Sequence, residues 1–210
     1  MLVVNVVTAT AAAAAAGVAA AVSAGARVDH VELGNELYWG EYSAVFPNGT
    51  VYSNAANTYA AEIRGDSALQ AAVSASGRPF PKVWAIGAHA VGVGGVVASW
   101  ADELNATLDH ALFDGVSLHP YLSLDERLDN STGKGMFADA ATQQAQRAAL
   151  LSPEGLAGLL GMASYYRIEP IIATLKSDGW DIIVTEVNTI EHAGGGALLS
   201  WAHALSTASI

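Results

Sequence analysis

The chain alternates short apolar runs with longer stretches in which apolar residues recur near every 3.6 positions, the two periods that separate strands from helices. Leu2 to Val7 is a β-branched run of the kind found in strands buried on both faces. Ala9 to Ala24 is a strong helix former, closed by the stop signal at Gly25. The order then repeats. Val28 to Leu33 reads as a second strand, followed by a stretch of Gly, Asn and aromatic residues and a helical pattern through Tyr59, Ile63, Leu69 and Val73. Lys82 to Gly87 is the third strand, leading through a glycine-rich loop to a helix carrying Val96, Val97, Trp100, Leu104 and Leu108. The fourth, Phe113 to Leu118, runs into His119-Pro120-Tyr121. A polar segment from Ser123 to Gln146 lacks periodicity and reads as an excursion, and a helical region extends from Pro153 toward Lys176. Asp181 to Thr185 is the fifth strand, and Ala197 to Ala208 a closing helix.

Strands alternating with helices imply a parallel sheet, because parallel neighbours need a connection of a dozen or more residues. Two α/β architectures fit. A doubly wound nucleotide-binding sheet would carry its glycine fingerprint after the first strand. Val7-Thr8-Ala9-Thr10 has no glycine there, and Gly92-Val93-Gly94-Gly95 lacks the third glycine and the acidic ribose partner. No cofactor is therefore expected. A TIM barrel, the (β/α)8 fold, gathers its chemistry at the carboxyl ends of its strands, and that is where the polar residues of this chain collect.

Composition narrows the possibilities. Hydrophobic residues make up 52% of the 210 and charged residues 14%, too few charges for a disordered chain or an exposed coiled coil, so residues 1–210 read as one α/β domain. The net charge of -11 and the scattered basic residues exclude nucleic acid as a partner. The lack of cysteine excludes disulfide scaffolds, zinc fingers and thiol catalysis. Six histidines without metal-ligand spacing argue against a metal site, and no Gly-x-Ser-x-Gly elbow exists. The first 26 residues carry no charge, but they lack the basic start of a signal peptide and the large apolar side chains of a span, so neither a signal peptide nor a membrane partner is expected. Sequons at Asn48, Asn105 and Asn130 lean toward a secreted parent protein.

The candidate chemistry sits at the strand ends. The second strand runs into Gly34-Asn35-Glu36-Leu37-Tyr38-Trp39, the third into Gly87-Ala88-His89, the fourth into His119-Pro120-Tyr121 and the fifth into Glu186-Val187-Asn188. Glu36 and Glu186 thus share one rim. Paired carboxylates are what hydrolysis of a glycosidic bond requires, one to protonate the leaving oxygen and one to attack the anomeric carbon or activate water. Asn35 can hydrogen-bond a substrate hydroxyl, and Tyr121 can donate to Glu186. Trp39, Tyr38 and Tyr42 are either a sugar-stacking platform or core. His119 is a pocket-lining or a structural residue. His89 contacts substrate or bonds within the rim. Taken singly, Glu36 has the bland reading of a charge at a helix start and Glu186 that of a surface carboxylate.

Val31-Glu32-Leu33-Gly34-Asn35-Glu36 resembles the Asn-Glu motif that ends the fourth strand in the clan of retaining glycoside hydrolases with a (β/α)8 barrel. Thr185-Glu186-Val187-Asn188 resembles the nucleophile motif of the seventh strand, with Val187 where an aromatic is frequent. Ser117-Leu118-His119-Pro120-Tyr121 fits the sixth-strand motif. The Glu-Leu-Gly-Asn-Glu form is most similar to the heparanase-like β-glucuronidase and α-L-arabinofuranosidase families. The resemblance implies Glu36 as general acid/base, Glu186 as nucleophile, Asn35 at the sugar 2-hydroxyl, Tyr121 as partner of the nucleophile, and His89, His119, Trp39 and Asn188 as substrate contacts. It also implies a partial barrel holding the third to seventh strands. The expected function is retaining hydrolysis of an oligo- or polysaccharide, with carboxyl groups roughly 5 Å apart. The competing reading is a non-catalytic carbohydrate-binding protein or a truncated, inactive barrel.

Overall fold

The structure, a computed structural model, describes residues 1–38, 40–87, 100–119 and 168–185. The chain divides into two compact units, Met1–Leu118 with Pro170–Thr185, and His119–Glu169 with Glu186–Ile210. The strands described here all belong to the first unit; of the second, the described residues are His119, Ile168 and Glu169.

Five strands, β1 (Leu2–Val4), β2 (His30–Leu33), β3 (Lys82–Ile86), β4 (Gly115–Leu118) and β5 (Ile182–Val184), form one parallel sheet in sequential order. Each connection advances by one strand, so crossovers of the usual right hand lay their helices on the same face, a singly wound α/β arrangement. The strands occur where the apolar runs place them but are shorter. β1 stops at Val4 because the Asn5 side chain accepts from the N–H groups of Val7 (2.9 Å) and Thr8 (3.0 Å), turning the chain before the apolar run is exhausted.

The helices show how capping decides boundaries that periodicity leaves loose. Helix α1 (Ala11–Ser23) starts at Thr10, whose hydroxyl accepts from the Ala13 N–H. It ends in a paired closure, Gly25 N–H to the Val22 carbonyl and Ala26 N–H to the Ala21 carbonyl, with Gly25 at φ 88°. It carries a buried stripe of Ala14, Ala15, Val18, Ala19 and Val22 and packs on the next two helices, so the uncharged start of the chain is a strand and a helix with one buried face and one exposed face. Among the described residues no helix is long and apolar enough to cross a membrane.

The single helical pattern expected through Tyr59 and Val73 is two helices, α2 (Gly49–Gly65) and α3 (Ser67–Ser76). They break at Asp66, whose carboxylate accepts from the Leu69 N–H at 2.7 Å and caps the second helix. Helix α4 spans Ala101–Thr107 and α5 spans Ile168–Ser177. Val96 and Val97, the glycine-rich loop, the polar excursion and the closing helix lie outside the described residues, as does the Asn130 sequon. Of the other sequons, Asn48 is the N-cap of α2. The Asn105 side-chain nitrogen, where a glycan would attach, donates to the Thr174 carbonyl at 2.8 Å and ties α4 to α5.

The register sorts the strand residues into two faces. Val4, Val31, Leu33, Val83, Ala85, Val116 and Leu118 form a buried apolar face that receives the helices. The other face carries Glu32, Trp84, Ile86, Ser117, Ile183 and Thr185, with Glu32 and Ser117 fully buried. Gly115 lies beside Trp84 in the register, and any Cβ there would run into the indole and the Asp181 carbonyl.

This second face is concave. The Thr185 hydroxyl donates to the Glu32 carboxylate at 2.8 Å, although β2 and β5 are separated by β3 and β4. Three strand spacings amount to roughly 14 Å along the sheet, a gap that two side chains standing perpendicular to a flat sheet cannot close. The sheet therefore bends around this contact. Thr185 also lies four positions beyond Asp181, the register partner of Gly115 in the row of Glu32 and Trp84, so the strands are staggered across the bend.

Tyr52 of α2 holds the helix layer against the strand ends. Its hydroxyl donates to the Leu33 carbonyl and accepts from the Ile86 N–H, both at 2.8 Å, and its ring stacks on Trp100 and meets Phe46 edge-on. At the opposite edge of the sheet, Asp114 accepts from Arg64 of α2 and from the Val83 N–H, both at 2.8 Å. Burial pushes the Tyr52 phenol far above its ordinary value; the Ile86 N–H opposes this and the Glu32 charge adds to it.

Y52F leaves two buried backbone groups without a partner and is expected to lower stability by about 2–4 kcal/mol in urea unfolding at neutral pH. Above a pH of about 10 the unfolded chain releases a proton that folded Tyr52 keeps. Wild-type stability should then fall with rising pH by about 1.4 kcal/mol per pH unit from this group, a contribution absent in Y52F.

Candidate functional site at the carboxyl ends of the strands

The carboxyl ends of all five strands lie along one edge of the sheet, because every pairing is parallel. At the end of β2 the chain turns through two residues of positive φ, Gly34 at 99° and Glu36 at 48°. Glycine is favoured there on two grounds. The φ of Gly34 suits glycine, and a Cβ would collide with the Leu37 side chain and crowd Ile86. Its N–H also donates to the Val4 carbonyl at 2.9 Å, which fastens the turn to β1.

Beyond the turn, Leu37 and Tyr38 are buried, and Tyr38 meets Trp100 edge-on with ring centroids 6.2 Å apart. The chain is thus pinned on both sides of Asn35 and Glu36, and the left-handed backbone of Glu36 is imposed by its neighbours. Such a conformation costs a non-glycine residue on the order of 1–3 kcal/mol and persists only where the surroundings over-determine it. Asn35 is exposed at the rim and Glu36 is half-buried.

Tyr42 closes this corner from the short 3₁₀ turn Gly40–Tyr42. The Glu41 carboxylate, burial and a hydrogen bond to Glu41 raise its phenol above the ordinary value, and the charge of Glu36 adds to the shift. Its hydrogen-bond partner is Glu41, and Glu36 acts on it through charge alone. Of the aromatic residues flanking the motif, Tyr38 is core, whereas Tyr42 stays half-buried beside the rim.

At the end of β5, Thr185 is held twice, by its backbone N–H to the Leu118 carbonyl at 3.2 Å and by its hydroxyl to Glu32. Glu186 is the next residue in the chain. His119, the first residue past β4, is 2% exposed, which places it with buried rather than surface histidines. The expected site residues Asn35, Glu36 and His119 are thus described. Trp39, His89, Tyr121, Glu186 and Asn188 lie outside the described residues.

Three residues that matter here were not among the expected site residues. Glu32, Thr185 and Tyr52 act through contacts 153 and 19 to 34 positions apart in sequence. Glu32 left one legible sign, a single charge inside an apolar strand, and a charge there demands a partner on the enclosed face. Tyr52 left none, since a tyrosine on a helical stripe looks like any other core aromatic. No protein-family model matches the chain, and no curated protein matches it.

If the turn forces Glu36 into the left-handed region, E36G should be more stable than E36A by about 1 kcal/mol in matched urea unfolding, the reverse of the order at an ordinary position. Equal stabilities, or a more stable alanine variant, would show that the backbone relaxes.

Proposed function

We propose that this chain is a retaining glycoside hydrolase whose sheet is part of the wall of a (β/α)8 barrel, with an oligo- or polysaccharide as its substrate. The observation that carries the reading is the Thr185 to Glu32 hydrogen bond. It draws together, across a concave face, the two strands whose carboxyl ends lead into Glu36 and Glu186. A sequential parallel order, a polar enclosed face and a stagger between strands are the features by which a sheet closes into a barrel, and they support the same reading.

In this reading Glu36 donates its proton to the departing glycosidic oxygen as the bond from that oxygen to the anomeric carbon breaks. The Glu186 carboxylate bonds to the anomeric carbon from the opposite face, giving a glycosyl-enzyme. Glu36, now ionised, takes a proton from water as the water oxygen displaces Glu186, and the configuration is retained. Asn35 holds the hydroxyl next to the anomeric carbon. Tyr121 donates to Glu186, and Trp39, His89, His119 and Asn188 line the sugar. Rigid placement of Glu36 fits general acid work, since proton transfer requires hydrogen-bond distance to the leaving oxygen.

The test is hydrolysis of a panel of aryl glycosides, with the anomer of the first product read by NMR. E186A should lose turnover by roughly a thousandfold or more and regain part of it with azide, yielding a glycosyl azide. Inversion of configuration, or an E186A variant as active as wild type, would overturn the assignment. Glycan binding without any turnover would instead identify a carbohydrate-binding protein.

A further inference from the structure

We infer that Glu32 is a positioning residue for the proposed nucleophile, acting through Thr185 on the peptide that leads into Glu186; this rests on the catalytic reading given above. Glu32 lies at the centre of β2, is fully buried and accepts from the Thr185 hydroxyl at 2.8 Å. The same face carries the buried Trp84 and Ile86 and the half-buried Ile183, which bury apolar area without desolvating a charge, together with the buried hydroxyl of Ser117. A carboxylate at this depth is expensive, and an apolar pair in its place would join the same two strands more cheaply.

What the polar pair adds is direction. A hydrogen bond between a carboxylate and a hydroxyl fixes distance and angle, whereas apolar contact fixes only proximity. β5 is short, three residues, with Val184 exposed on the helix-facing side of the sheet, and Thr185 follows directly after it. β4 steadies this end through the parallel ladder of Val116 to Leu118 with Ile182 to Val184, continued by the bond from the Thr185 N–H to the Leu118 carbonyl. The side-chain bond to Glu32 supplies the second restraint, from three strands away, and it acts one peptide before the residue that must meet the anomeric carbon.

The prediction is tested on the full chain with T185V, which keeps the shape and removes the donor, T185S, which restores it, and E32Q, which keeps an acceptor oxygen. Amide hydrogen exchange over residues 185–188 should rise at least tenfold in T185V and stay within about twofold of wild type in T185S and E32Q, while the α1 and α2 amides are unchanged in all three. With an aryl glycoside, T185V should lower kcat by about ten- to a hundredfold with KM within about twofold, the pattern expected for a misplaced reacting group.

Unchanged exchange over 185–188 in T185V would overturn the inference, as would T185S behaving like T185V or a rise spread over the whole chain. A wild-type chain that hydrolyses nothing would overturn the catalytic reading. Its exchange data would still decide whether Glu32 orders this strand end.

Discussion

A buried carboxylate in the middle of a parallel sheet is the constraint on which the rest of this structure turns. Glu32 has no access to solvent and meets Thr185 across two intervening strands, so the sheet cannot be flat where they touch. The contact reports the curvature of the sheet and its stagger, and it marks which face is enclosed. The enclosed face can then be polar, and the apolar face opposite it is left for the helices. Removing water from Glu32 is costly, and the sheet accommodates it by surrounding the carboxylate with closely packed neighbours and giving it a hydroxyl donor.

The helix layer transmits this arrangement to the rim. Tyr52 reaches from α2 to the last backbone groups of β2 and β3, where strand pairing gives out and each would otherwise be buried without a partner. One phenol thereby ties α2 to both strand ends just where their ladder stops. The turn that follows has no freedom left. Gly34 is fastened to β1, Leu37 and Tyr38 are buried, and Glu36 takes the left-handed backbone that remains available. Strain at a carboxylate, rather than at a glycine that could adopt the same φ without penalty, is the kind of local cost found where a side chain has to be presented at a set place.

Much of this fold was legible from periodicity. The five strands and the helices among the described residues occur where apolar runs and 3.6-residue patterns put them, because each run must bury a face and the spacing dictates which secondary structure can do so. Boundaries were less legible. Asn5 ends β1 and Asp66 splits one expected helix in two through side-chain hydrogen bonds that a hydropathy pattern does not contain. Of the candidate site, Asn35 and Glu36 were readable because the motif is contiguous and sits on a strand end. Tyr38, open between a sugar platform and core, proved to be core through its contact with Trp100, a residue 62 positions away. The Asn105 sequon likewise lost its simple meaning once its amide was found tied to α5.

The sequence by itself determined the alternation of strands and helices, the parallel sense of the sheet and the presence of carboxylates at two strand ends. Those properties follow from local periods and from the length of connections, which a linear pattern records directly. Tertiary structure alone decided that the sheet bends, that Glu32 and Thr185 meet, that Tyr52 bridges two strand ends and that Glu36 is held in a left-handed turn. Each of these joins groups far apart in the chain, and the energy of such a contact depends on burial and geometry that exist only once the layers have packed.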